Sequence, residues 1–284
     1  MEQALLLQMT VISMLDYFGK DATNLNDKKL YLFDMDGTIY LDNDLFDGVP
    51  ELLEKITLNG GKYVFITNNA SKSVVDYVAK LHRLGLTKVD ESNFFTSVQA
   101  SIELMKKRHS TDLIYLQGTK SFVEEYKKTG LNITTEYNEN AKVVLVGFDP
   151  EFTGEKIYTT CKMLTKLDVC YYATNPDWVC PVEFGYIPDC GSMCQGIERA
   201  TGKKPEFIGK PKPTMINAVM EKFGYKKEQT VVVGDRLYTD IASGNNAGVD
   251  TICVLSGEVK LEEVEKATGV EKPTYLFESV KDLL

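Results

Sequence analysis

Asp34 and Asp36 stand two residues apart where the apolar run Leu30-Tyr31-Leu32-Phe33 ends, and Gly37 and Thr38 come directly after. A buried strand that finishes in two carboxylates, a glycine and a hydroxyl presents them at its carboxyl end, where open α/β sheets meet their ligands. A carboxylate in that place can attack phosphorus or hold a hard cation such as Mg²⁺. The same residue types also make plain acidic turns, so the rest of the chain must decide between the two.

Three further pieces come in order. The apolar run Tyr63-Val64-Phe65-Ile66 ends in Thr67-Asn68-Asn69, a hydroxyl and a turn of backbone N–H groups suited to phosphate oxygens. Lys210 is held between Gly209 and Pro211 ahead of a helix expected from about Pro213, and an ammonium at a fixed place suits a phosphate dianion. The run Val231-Val232-Val233 leads into Gly234 and Asp235, which can complete a hard-cation site, with Asp240 five residues on to support the loop. Taken singly, Thr67 and Asn68 read as a helix cap before Ser73–Leu84 and Lys210 as a solvated surface lysine. The order of the four pieces, each at a strand end or a helix start, is what makes a site of them.

The elements that must position these residues follow from the spacing. Asp34 and Thr67 are 33 positions apart, room for a short flap, one helix near Pro50–Asn59 and a strand. Thr67 and Lys210 are 143 positions apart, far more than a doubly wound sheet needs between them, so an inserted domain must occupy the gap. Within it, Leu113–Leu116, Val143–Val146 and Cys170–Ala173 read as strands, and Ser121–Lys128 and Thr153–Leu167 as helices. The expected fold class is α/β: a Rossmann-like, doubly wound parallel core over 28–107 and 205–284, with an inserted α/β cap over 108–204. Residues 1–27 form an N-terminal extension, in which the uncharged run Gln3–Leu15 is too short to span a bilayer and reads as a peripheral apolar helix.

Over about residues 28–284 the chain resembles the haloacid dehalogenase (HAD) superfamily, specifically its magnesium-dependent phosphatases. The match lies in Asp34-Met35-Asp36-Gly37-Thr38, Thr67-Asn68-Asn69, Gly209-Lys210-Pro211 and Gly234-Asp235-Arg236-Leu237-Tyr238-Thr239-Asp240. Ala173-Thr174-Asn175-Pro176-Asp177 and Asp189-Cys190-Gly191-Ser192 look like the NagD-type branch, subfamily IIA, which includes 4-nitrophenyl phosphatases and pyridoxal phosphate phosphatases and carries a cap of the C2 type. The resemblance implies a two-step phosphoryl transfer. Asp34 would attack to give an aspartyl phosphate, while Asp36 would protonate the leaving alcohol and then activate water. Mg²⁺ would sit on the carboxylates of Asp34 and Asp235 and the carbonyl of Asp36. Thr67, the Asn68 N–H and Lys210 would take the phosphoryl oxygens, and Asp240 would stand behind the metal loop. The cap would choose the substrate through Asn175, Asp177 and a loop carrying Trp178, Glu183, Phe184 and Tyr186.

The expected ligand is a small phosphorylated metabolite: a nucleoside monophosphate, a sugar phosphate or similar, with a pyridoxal phosphate-type phosphatase or a non-catalytic phosphate-binding protein as the alternatives. Asp36 argues against a dehalogenase acting on carbon, and the short gap between Asp34 and Thr67 against a mutase cap. A DxD glycosyltransferase gives no reason for Thr67, Lys210 and Asp235. The net charge of −9 over 284 residues argues against an extended nucleic-acid partner. No membrane association is expected, and the cap or the N-terminal segment would carry a homo-oligomer. Six cysteines without a CxxC pair and two histidines, His82 and His109, argue against zinc and fit a reducing cytoplasm. Both histidines flank expected helix ends and read as surface residues.

Overall fold

The computed structural model describes residues 14–69, 73–182 and 184–284. Among them, six parallel strands form one sheet in the spatial order Phe94–Thr96, Lys62–Thr67, Leu30–Phe33, Thr230–Gly234, Asp250–Val254 and Tyr275–Phe277. Numbered along the chain these are strands 3-2-1-4-5-6, the doubly wound order. They are rich in β-branched and aromatic residues, and alternate side chains serve opposite faces. Leu30, Leu32, Val64, Ile66 and Val232 face one core, while Phe33, Phe65, Val231, Val233 and Ile252 face the other. The order reverses between Leu30–Phe33 and Thr230–Gly234, which opens a crevice at their carboxyl ends. Asp34 and Asp235 are the next residues of those two strands.

The long insertion builds a second parallel sheet, in the order Ile133–Thr134, Leu113–Gln117, Ala141–Val146, Cys170–Ala173 and Glu206–Phe207. Its last strand comes from beyond residue 204, because Glu206 and Phe207 pair with Tyr172 and Ala173. This order is also doubly wound. Its own reversal point, however, is filled: Phe122 packs directly against Gly118, and buried Asp149 is closed off by Lys156 Nζ at 2.9 and 3.1 Å. Helix Ser97–Arg108 ties the two sheets into one apolar cluster, with Ser101 Oγ 2.7 Å from the Tyr126 hydroxyl.

Residues 14–27, the described part of the N-terminal extension, pack on the core: Ala22 and Leu25 are buried, and Tyr17 N–H donates to Leu276 O at 2.7 Å. The apolar helix read over Gln3–Leu15 lies outside the described residues except for Met14 and Leu15, and Leu15 is in a β-bridge with Asp21. No described helix is long and apolar enough to cross a membrane. His82 is exposed as expected, but His109 is turned inward between Asp112 at 2.8 Å and the Tyr172 hydroxyl at 3.1 Å, partners the sequence places 3 and 63 residues away.

Candidate active site

Asp34 is placed by the sheet itself: its N–H donates to Val233 O at 2.9 Å, so the residue continues the parallel ladder into the crevice. One carboxylate oxygen accepts from Lys210 Nζ at 2.6 Å, and the same ammonium reaches Asp240 Oδ1 at 2.6 Å and Ile66 O at 3.3 Å. Lys210 is 3% exposed, not the solvated lysine its type would lead one to expect. Burial alone would pull its pKa down, but Asp240 and Asp34 hold it above the usual lysine range.

The loop that delivers Lys210 is clamped. Asn68 Oδ1 accepts from Lys210 N–H at 2.8 Å and Asn68 Nδ2 donates to Lys210 O at 3.0 Å. Gly209 lies so close to Asn68 Oδ1 and Thr174 O that no side chain fits there. Asn68 is therefore a structural brace through its side chain. Thr67, the last residue of its strand, accepts from Asn69 N–H at 3.1 Å. Thr67 and Asn68 do not cap the helix that follows; Ser73 does, its side chain and that of Asp76 forming a reciprocal capping box for Val74–Arg83.

Asp36 lies on the exposed side of the loop. Gly37, at φ +81°, turns the chain back so that its N–H donates to Tyr40 O at 2.8 Å, and the Tyr40 hydroxyl reaches Asp36 Oδ2 at 3.4 Å. Gly37 and Gly257 both press on the Asp235 carboxylate, where a Cβ would collide.

One carboxylate oxygen from each of Asp34, Asp235 and Asp240 lies within 4.8 Å of the other two. A π-helical turn, Leu237–Ile241, brings Asp240 inward, and both of its oxygens are engaged, Oδ1 by Lys210 and Oδ2 by Arg236 N–H at 3.1 Å. Asp235 Oδ2 accepts from Glu258 N–H at 2.7 Å, while Asp235 Oδ1 is buried with no hydrogen-bond partner among the described residues. A buried orphan acceptor beside a second carboxylate fits a cation, and an all-oxygen donor set fits Mg²⁺ rather than zinc. Burial, then the charges of Asp34 and Asp240, push Asp235 up to about 7; burial likewise raises Asp240 to about 6 against the pull of Lys210.

Of the insertion's expected residues, Asp177 reaches this site. Burial raises its pKa, against the pull of Asn68, Lys210, Asn175 and Arg236, all of which favour its charged form. Asn175, expected at the substrate, is fully buried, and its amide is used on Asp177 Oδ2 at 3.1 Å and Asp189 Oδ1 at 3.0 Å. It supports Asp177 and does not face the cleft. Trp178, Phe184 and Tyr186 are exposed, and Glu183 lies outside the described residues. Arg236, given no role from the sequence, has Asp34 as its strongest charged neighbour and lies 2.8 Å from Glu258; its place between two motif aspartates was the available signal.

The chain has counterparts among known proteins. The family model described as haloacid dehalogenase-like hydrolase matches residues 31–132, and a HAD-hydrolase-like model matches 207–283. An acid sugar phosphatase of Staphylococcus epidermidis is 32% identical over 89% of this chain and 94% of its own length. The crystal structure of a 4-nitrophenylphosphatase from Thermotoga maritima superposes with a TM-score of 0.85 at 39% identity, covering 92% of this chain and 97% of that one. NagD from E. coli K-12 gives 0.81 at 31%, covering 89% and 97%. A glycerol phosphate phosphatase from Mycobacterium tuberculosis, solved in complex with magnesium, gives 0.84 at 26%, covering 92% and 77%. With matches that span both segments of the core and the insertion between them, this chain belongs to the haloacid dehalogenase-like hydrolases, among the NagD-like phosphatases.

Proposed function

We propose that this phosphatase hydrolyses small phosphomonoesters, sugar phosphates foremost, through an aspartyl phosphate on Asp34. The observation that carries the reading is the meeting, at the core sheet's reversal point, of the Asp34 carboxylate, the Lys210 ammonium 2.6 Å away and the orphan oxygen of Asp235. Asp34 attacks phosphorus as Asp36 passes a proton to the leaving alkoxide; Asp36 then takes a proton from the water that cleaves the acyl phosphate. Lys210, the Thr67 hydroxyl and the Asn68 N–H bind the equatorial oxygens, and Asp240 keeps Lys210 aimed. The Asp34 and Asp235 carboxylates and the Asp36 carbonyl would hold Mg²⁺, whose charge lets one anion approach another. The labour divides between a core of 28–107 and 208–284 and a cap of 108–207, which takes in the strand Glu206–Phe207 and whose Asp177, close to Arg236 and Tyr238, would meet the leaving group. Sugar phosphates are preferred over pyridoxal phosphate because carboxylates and a guanidinium suit hydroxyls and because of the sugar phosphatase relative.

The test is phosphate release from a panel of phosphomonoesters with Mg²⁺ present. Turnover of 4-nitrophenyl phosphate and of sugar phosphates is expected. Binding without release from any ester would make the protein a phosphate-binding module, and a preference for pyridoxal phosphate would overturn the substrate assignment. Asp36→Asn adds a sharper check. General acid catalysis is worth ~10² to 10⁴ in rate, and most for poor leaving groups. The variant should therefore lose far more kcat/KM on an alkyl phosphate than on 4-nitrophenyl phosphate; equal losses on both would remove Asp36 as the acid.

A further inference from the structure

Asp177 is the inserted unit's point of entry into the core site, and what holds it there is unusual. One buried amide, Asn175 Nδ2, donates to two carboxylates, Asp177 Oδ2 at 3.1 Å and Asp189 Oδ1 at 3.0 Å, while Asn175 Oδ1 accepts from the Thr174 hydroxyl at 2.8 Å. Asn175 and Asp189 are 0% and 4% exposed, and the groups that meet there are spent on one another. Gathering two carboxylates around one amide in a buried place is costly unless their charge is used. Asp189 has a local use: it caps helix Cys190–Thr201. Asp177 has none of that kind, because its polar surroundings beyond Asn175 are Asn68, Lys210 and Arg236, all residues of the core. Its backbone is also pinned, with Asp177 O accepting from Gly191 N–H at 2.9 Å and Gly191 lying too close to Pro176 O to admit a side chain. Hydrogen bonds thus run from Asp189 through Asn175 to Asp177, Asn68 favours the charged form of Asp177, and Asn68 in turn bonds the backbone of Lys210 on both sides.

We propose that Asn175 and Asp189 are positioning residues that hold the Asp177 carboxylate against Asn68, and through Asn68 fix the loop that presents Lys210 to the reacting phosphate. The proposal rests on the chain being a phosphatase that uses Asp34 and Lys210. Residues that orient a site residue from behind typically contribute ten- to a hundredfold, and residues acting as one unit are non-additive when removed together.

The experiment is a double-mutant cycle on kcat/KM for 4-nitrophenyl phosphate in saturating Mg²⁺, with circular dichroism to establish that each variant is folded. Asn175→Ala and Asp177→Ala should each lower kcat/KM by about tenfold, and the double variant should be no worse than Asp177→Ala alone. Losses that multiply to about a hundredfold would overturn the proposal. Asp189→Asn supplies a test that survives if Asn175→Ala does not fold. Asparagine caps a helix as well as aspartate does, but its neutral oxygen bonds the Asn175 amide less strongly, so a fall of about threefold is expected. That fall should vanish in the Asp177→Ala background. An unchanged kcat/KM would leave Asp189 a helix cap only and break this line of contacts at its start. An inactive wild-type protein would instead sink the phosphatase reading before the cycle is measured.

Discussion

Asp34→Asn is expected to abolish phosphate release and leave a folded protein. The amide has nearly the shape of the carboxylate but no charge to bring to phosphorus, so the covalent step is lost rather than slowed. Folding should survive because Lys210, which loses one partner, keeps Asp240 at 2.6 Å and Ile66 O at 3.3 Å; the ammonium is not left buried and unpaired, the case that destabilises strongly. Mass spectrometry of wild-type protein quenched during turnover should find phosphate on the peptide containing Asp34, and the variant should carry none. Substantial turnover by Asp34→Asn would defeat the covalent mechanism.

Removing divalent cations should have an equally large effect. Excess chelator should stop turnover, added Mg²⁺ should restore it, and zinc should not be required, since Asp34, Asp235 and the Asp36 carbonyl offer only oxygen. The pH dependence has a definite sign. Asp235 is raised to about 7, by burial first and then by Asp34 and Asp240, so below that pH a proton competes with the cation for its carboxylate. Mg²⁺ affinity measured by calorimetry should weaken by up to about tenfold per pH unit on going below 7, and level off above it. Without cation the linkage runs the other way for folding. A carboxyl raised from its ordinary 3.8 takes up a proton in the folded state first, so this group adds stability at low pH that is lost as pH rises through about 7. Equal affinities at pH 6 and pH 8 would take Asp235 out of the cation site.

Much of the architecture is legible in the sequence because the core strands are short apolar runs, each closed by a distinctive polar residue. Asp34, Thr67 and Asp235 stand at three such ends, and spacing alone demands a domain between Thr67 and Lys210. Legibility fails where a residue's role is set by a partner distant in the chain. Asn175 and Asp177 look alike in Thr174-Asn175-Pro176-Asp177, yet one is sealed inside by Asp189 while the other meets Asn68. His109 turns inward because Tyr172, 63 residues on, is there to meet it. Glu206 and Phe207 form a strand that neither length nor alternation marks, since two residues carry no period; the edge of Cys170–Ala173 creates them.

That short strand has a mechanical consequence. The chain leaves the second sheet at Phe207, is bonded to Ala173 O and Thr174 O through the N–H groups of Ile208 and Gly209, and brings Lys210 to Asp34 at the very next residue. The Lys210 ammonium thus rides on the crossing from the second sheet back to the core, with no slack between the inserted unit and the charge proposed to neutralise phosphate. Swinging that unit outward to admit substrate would tug the ammonium off Asp34, and swinging it home would press it back, so gating and charge assembly share one coordinate. An open enzyme of this build would be electrostatically disarmed, its nucleophile protected from whatever drifts past.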